Sequence, residues 1–441
     1  MARQALQEHW RKISETTSLQ KHPMQLLSLL AMNLNLAYRQ TQAIALAYRD
    51  CKLRLDEYVR LMRDYESQGK LNRSLEFLPS EDVLLDRRAQ NQGLTRPELA
   101  VLISYTKADL KEQLNRPSIT EDDYISAIAS TAFPAELATR FAEPLTRHRL
   151  RREIIATQLA NDMVNYMGIT FVSRLGDSSG ATVTDIARAY VTARDTFSLP
   201  EYWSKINALD YSVDTHIQED MMAELMRLVR RATRWFLRNR RVSVAIAAEV
   251  DQFRDAVRHI AAHLGETLKG GALARWQALY DKRREAGVPA DLAAFSAGAG
   301  ELYAALGIIE AAQQSKCDVH NVTEAYFGIG EHLSLGWFLQ QINALPTSSH
   351  WEAMARESFR DDLDWQQRSL TVGILAGNDN QTELSDAIAH WEEEQAVLVG
   401  RWQRMLNELK SADNMEFAMI AVALRELLDL AQASRHQKNC N

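Results

Sequence analysis

The chain has 441 residues, a formal net charge of -7 and a 46% hydrophobic composition, with 18 Gly, 9 Pro and 3 Cys. At about 100–200 residues per domain it should hold two or three domains, and no run approaches 18 uninterrupted apolar residues, which argues against a membrane span. Cys51, Cys317 and Cys440 are too few and too scattered for a disulfide framework or a thiolate metal site, and the acidic balance gives no global reason to expect nucleic acid or anionic lipid.

Gly is about 4% and Pro about 2% of the chain, against roughly 7% and 5% in ordinary proteins. With abundant Ala, Leu, Arg, Glu and Gln, this predicts helices rather than sheets. The N-terminus, MARQALQEHWRK, lacks the apolar core of a signal peptide, so a cytoplasmic setting is expected. Gln25–Tyr65 is periodic in apolar residues and halts at Gly69. Thr95-Arg96-Pro97-Glu98 reads as a capping box with Pro in the first turn, opening a helix that ends near Asn115. Arg147–Met167 is periodic and closes on Gly168, and Ser198-Leu199-Pro200-Glu201 repeats the capping pattern. Leu264–Gly271 and Gly287–Pro289 look like the main joints. The expected fold is all-α, a multi-helix array in two helical halves. Residues 1–66 form a helical lead-in, 67–264 one helical domain and 271–441 a second.

Compared with itself, the chain shows a diagonal at offset 136. Ile206-Asn207-Ala208-Leu209 recurs as Ile342-Asn343-Ala344-Leu345, Ala189-Tyr190 as Ala325-Tyr326, Ile186 as Val322, and Leu199 as Leu335. This predicts an internal duplication of a helix pair, Thr182–Leu209 and Asp318–Leu345; coincidence between two amphipathic helices is the alternative.

Gly298-Ala299-Gly300 and Gly328-Ile329-Gly330 lack the third glycine and the preceding strand of a dinucleotide turn, and no GxxxxGK[ST] or GxSxG motif occurs. No catalytic, cofactor-binding or metal-ligating residue is therefore assigned. His259 and His263, without the Glu of HExxH, read as a surface pair; Cys317 and His320 lack partners. On the helix ending at Met167, Arg151, Gln158, Asp162 and Asn165 fall on one narrow stripe of an otherwise nearly apolar helix. Buried polar groups must be paired, so the stripe is a hydrogen-bond seam to neighbouring helices, a recognition surface for another domain or subunit, or, least, a catalytic site. Arg227–Arg241 holds seven arginines, of which Arg227, Arg230, Arg231, Arg234, Arg238 and Arg241 share one face, opposite Leu228, Ala232, Trp235 and Phe236. Guanidinium forks suit carboxylates, so Arg227, Arg230, Arg234 and Arg238 are expected to face Asp or Glu. A phosphate-backbone contact is the alternative.

Gly93-Leu94-Thr95-Arg96-Pro97-Glu98-Leu99-Ala100-Val101-Leu102 and Leu150-Arg151-Arg152-Glu153-Ile154-Ile155-Ala156-Thr157-Gln158-Leu159-Ala160-Asn161-Asp162 resemble signatures of the large class of bacterial NAD-specific glutamate dehydrogenases. So do Gly168–Val172, Arg231–Asn239, Leu75-Glu76-Phe77-Leu78-Pro79-Ser80 and Gln40-Thr41-Gln42-Ala43; at the last block this chain has Leu36 and Ala37 before Tyr38 where the family reads Asp-Asn-Tyr. The resemblance implies a non-catalytic C-terminal helical region of such an enzyme. Its NAD site and catalytic lysine would lie upstream, with no cofactor in this chain. It also implies that the partners are the catalytic region and further copies of the enzyme, with neither nucleic acid nor membrane. A free-standing helical interaction module is the competing reading.

Overall fold

The computed structural model describes residues 41–133, 135–240, 245–346, 349–375 and 384–436, and every regular element among them is helical. The lead-in before residue 41, Arg241 and Cys440 lie outside these described residues. The chain forms two compact units, one of residues up to Ala193 with Val229–Ala248, and another of Arg194–Leu228 with Glu249 onward.

The first unit contains α1 (Leu55–Ser67), α2 (Glu81–Ala89), α3 (Arg96–Leu114), α4 (Arg151–Met167) and α5 (Phe171–Ser179). The Thr95 box forms as its sequence requires. The Thr95 amide donates to Glu98 at 2.7 Å, the Thr95 side chain accepts at the third amide of α3, and the helix ends at Leu114. Helix α3 packs on α4, which buries Ile155, Ala156, Leu159, Ala160, Met163 and Val164. Gly168, at φ +86, ends α4 in a conformation that favours glycine. The start of α4 is four residues later than its periodicity suggests, because Ala142–Thr146 forms a separate short helix.

Helices α6 (Val183–Thr196) and α7 (Leu199–Asn207) follow, then the 25-residue α8 (Thr215–Asn239) and α9 (Ile246–Ala262). The second unit continues through α10 (Gly270–Glu285), α11 (Ala290–Ala297), α12 (Ala305–Ser315), α13 (Val319–His332) and α14 (Leu335–Ala344), and ends with α15 (His350–Leu375), α16 (Leu384–Glu394), α17 (Ala396–Lys410) and α18 (Phe417–His436). Helix α15 is its hub, packing against α12, α13, α14 and α18. The Leu264–Gly271 stretch lies wholly within this unit, and a Cβ at Gly265 would come within 2.7 Å of the Trp276 ring.

The offset of 136 reappears in backbone geometry. Ser198 sits between α6 and α7 at φ +51, ψ +36, and Ser334 between α13 and α14 at φ +53, ψ +32. Ser198 N donates to Asp195 O and Ser334 N to Glu331 O; Tyr202 N donates to Ser198 O and Phe338 N to Ser334 O. Tyr190, Leu199 and Ile206 are buried, as are Tyr326, Leu335 and Ile342. The left-handed turn also corrects the capping pattern read at Ser198. Its side chain makes no cap bond and instead accepts from Arg258 at 3.2 Å. A Ser at the left-handed position carries roughly 1–2 kcal/mol of strain. Ser334→Gly should therefore raise stability by up to about 1 kcal/mol, seen as a higher Tm, whereas Ser334→Ala should not.

Candidate interaction site

Helix α4 places its polar stripe as the sequence arranges it. Arg151, Gln158 and Asp162 are half-buried and Asn165 is buried. Asp162 has a partner, while Asn165 Oδ1 has no hydrogen-bond partner among the described residues. Among the described residues no hydrogen bond joins Arg151 or Gln158 to Asn165.

The arginine stripe of α8 does not act as one face. Arg227 is exposed and pairs with Glu224, one turn back, at 2.8 Å. Arg230 donates to the Met167 carbonyl, the end of α4, at 3.0 Å, and Arg234 donates to the Ser178 hydroxyl at 2.7 Å. Arg238 is exposed and partnered. So of the four arginines expected to face carboxylates, Arg227 does so directly, whereas Arg230 and Arg234 cap neutral oxygens. Helix ends explain the difference at Arg230. The last carbonyls of α4 have no intrahelical donor, and a guanidinium supplies one.

Arg230 reaches a charged interior that sequence reasoning missed. Glu57 on α1 lies 3.4 Å from Arg174 of α5 and 3.9 Å from Arg54; Arg54 lies 3.3 Å from Asp50, which accepts from the Tyr58 hydroxyl at 3.2 Å. Burial raises the Glu57 carboxyl, with Arg54 and Arg230 opposing, and burial lowers the Arg230 guanidinium, with Asp50 opposing. A signal was available: Asp50, Arg54 and Glu57 follow helical spacing, but such a run reads equally as a solvated face.

The second unit holds a parallel case on α15. Arg368 lies 2.9 Å from Glu310 of α12 and 3.1 Å from Asp364, which accepts from the Tyr326 hydroxyl of α13 at 3.4 Å. Gln367 donates to the Tyr326 carbonyl at 2.9 Å and Gln366 to the Leu424 carbonyl at 3.0 Å. Gly330 lets α13 approach: a Cβ there would lie 2.6 Å from Gln367 Nε2, and one at Gly307 would strike Arg368. The two glycine pairs that fail as nucleotide turns thus lie in or beside helices, where Gly330 serves packing. The His259 and His263 rings lie tilted by 36° with centres 4.4 Å apart, and His320 lies 5.7 Å from His263. No group of three His, Cys, Asp or Glu among the described residues is placed to hold a metal ion.

These polar side chains fasten helix to helix, and the molecule that results is an all-helical scaffold. The chain belongs to the family of glutamate dehydrogenase C-terminal regions, whose model matches residues 91–429. It is 50% identical over 399 residues to the NAD-specific glutamate dehydrogenase of Pseudomonas aeruginosa, covering 90% of this chain and 25% of that protein. It is 42% identical over 397 residues to the protein of that name from Halomonas elongata, covering 90% of this chain and 25% of that protein. Identity to the Mycobacterium tuberculosis protein of the same name is 31% over 364 residues, 82% of this chain and 22% of that protein. The chain therefore spans about a quarter of the length of the curated relatives it matches. No described helix is long and apolar enough to cross a membrane.

Two outcomes test the polar interiors. Arg230→Met leaves the Met167 carbonyl without its donor and withdraws one of the cations acting on Glu57, and should cost about 1–3 kcal/mol in urea unfolding. Arg227→Met, at an exposed pair, should stay within about 0.5 kcal/mol of the parent. Burial also pushes the Asp364 carboxyl up from 3.8 to about 6, with Asp361 and Glu310 adding to it and Arg368 and Tyr326 opposing. The native chain then holds this proton more tightly than the unfolded chain. Its contribution to stability is largest at low pH, falls as pH rises from about 4 to 6, and is constant above. Asp364→Asn should remove that slope, as read by urea midpoints measured across the window.

Proposed function

We propose that this chain is the non-catalytic structural and regulatory region of an NAD-specific glutamate dehydrogenase. The parent enzyme would oxidise L-glutamate with NAD and water to 2-oxoglutarate, ammonium and NADH. One observation carries the reading: the match spans 90% of this chain yet only 25% of its Pseudomonas aeruginosa relative, at 50% identity. Side-chain use supports it, since Glu57 of α1, Arg230 and Arg234 of α8 and Arg368 of α15 each hold one helix to another. The matching turns at Ser198 and Ser334 support reading the two helix pairs as copies of one unit.

In this account the catalytic lysine and the NAD site belong to the remainder of the longer polypeptide, which is the chain's partner. The assembled enzyme is a cytoplasmic homo-oligomer. Arg227 and Arg238, each of which has a partner, are the exposed residues of the stripe, whereas Arg230 and Arg234 are half-buried. With Asp162 and Asn165, Arg227 and Arg238 are the candidate contacts for the rest of the enzyme.

The purified 441-residue chain should form no NADH from glutamate and NAD, and should show no NAD binding by calorimetry at millimolar concentration. Glutamate-dependent NADH formation by this chain, free of contaminating enzyme, would overturn the non-catalytic reading.

A further inference from the structure

The loop between α1 and α2 presents an apolar side chain in an unfavourable backbone state. Leu71 and Leu78 are buried and anchor its ends, while between them Leu75 is 74% and Phe77 90% exposed. Phe77 has φ +53, in the left-handed region, where a bulky side chain is an outlier. Strain of this kind persists where the surroundings over-determine it, and it gathers at functional surfaces.

The surroundings do over-determine this loop. Asn72 Oδ1 accepts from the Ser74 and Leu75 amides at 3.1 and 3.3 Å. Leu78 N donates to Arg73 O at 2.9 Å, and the Tyr105 hydroxyl donates to Glu76 at 2.6 Å. Arg73 bridges Glu66 at 2.7 Å and Glu81 at 3.0 Å, and Arg63 also pairs with Glu81 at 2.7 Å. Arg63, Arg73, Glu66 and Glu81 are thus matched with one another, and Glu76 is held by a neutral hydroxyl. What the loop offers outward is apolar, rigid and aromatic, the form of an interface anchor whose ordering cost is already met.

We propose that Phe77, with Leu75 beside it, seats in an apolar pocket on the remaining three-quarters of the parent polypeptide; this rests on the functional reading above. The occupant follows from length and charge. The relatives extend about four times the length of this chain. Phe77 also precedes the 91–429 span that the C-terminal family model matches. With its flanking ions paired internally, the loop fits an apolar protein pocket rather than a charged ligand.

The test compares the 441-residue chain alone with the Pseudomonas aeruginosa relative in which this chain replaces the matching segment. Hydroxyl-radical footprinting reads side-chain exposure at both residues. Labelling of Phe77 should fall about tenfold or more in the long protein, as for a side chain passing from 90% exposed to buried. Phe77→Gly should leave the chain alone melting at the same or a higher temperature, because glycine accepts φ +53, yet should restore labelling of Leu75 in the long protein. Equal labelling of Phe77 in both proteins overturns the proposal. So does protection that rises with concentration in the chain alone, which would assign the surface to a second copy. A long protein that retains Phe77 protection but forms no NADH from glutamate would contradict the parent-enzyme reading and leave the docking contact itself supported.

Discussion

A charged group inside a helical core must have its partners fixed in place, and that constraint organises both units of this protein. Moving a carboxylate or guanidinium out of water costs several kcal/mol unless hydrogen bonds and opposite charge offset it. Arg230 meets the condition at the open carbonyl end of α4 with Asp50 and Glu57 acting on it; Arg368 meets it between Glu310 and Asp364.

The same constraint sets the work of these buried polar side chains. A guanidinium that donates to Met167 O, or an aspartate held between Arg368 and Tyr326, is occupied in holding the fold. The exposed side chains are of another kind: Arg227 and Arg238, each with a partner, and the apolar tip at Phe77. This division suits a region that supports an enzyme whose chemistry is performed elsewhere.

Much of the fold was legible from residues that act locally. Thr95 with Glu98 marks the start of α3, Gly168 marks the end of α4, and apolar periodicity marks the buried side of each long helix. The Ser198 cap was misread because Ser before Leu-Pro-Glu also fits a left-handed turn, and only the backbone decides between them. The polar interiors were not legible because Asp364, Gln366, Gln367 and Arg368 look in sequence like a solvated face. What buries Asp364, Gln367 and Arg368 is the approach of α12 and α13, permitted by Gly307 and Gly330 and more than thirty residues away, while Gln366 meets α18. The arginine stripe was found, but its partners were not, since a carbonyl at a helix end leaves no mark in composition.

The central claim is that this chain completes a longer glutamate dehydrogenase without contributing to its chemistry. The most direct measurement is glutamate-dependent NADH formation by the Pseudomonas aeruginosa relative in two altered forms. One lacks the quarter that matches this chain, and the other carries this chain grafted in its place. The account predicts that the first form loses activity and that the graft restores it. Full activity in the shortened form, or none in a folded graft, would contradict the account.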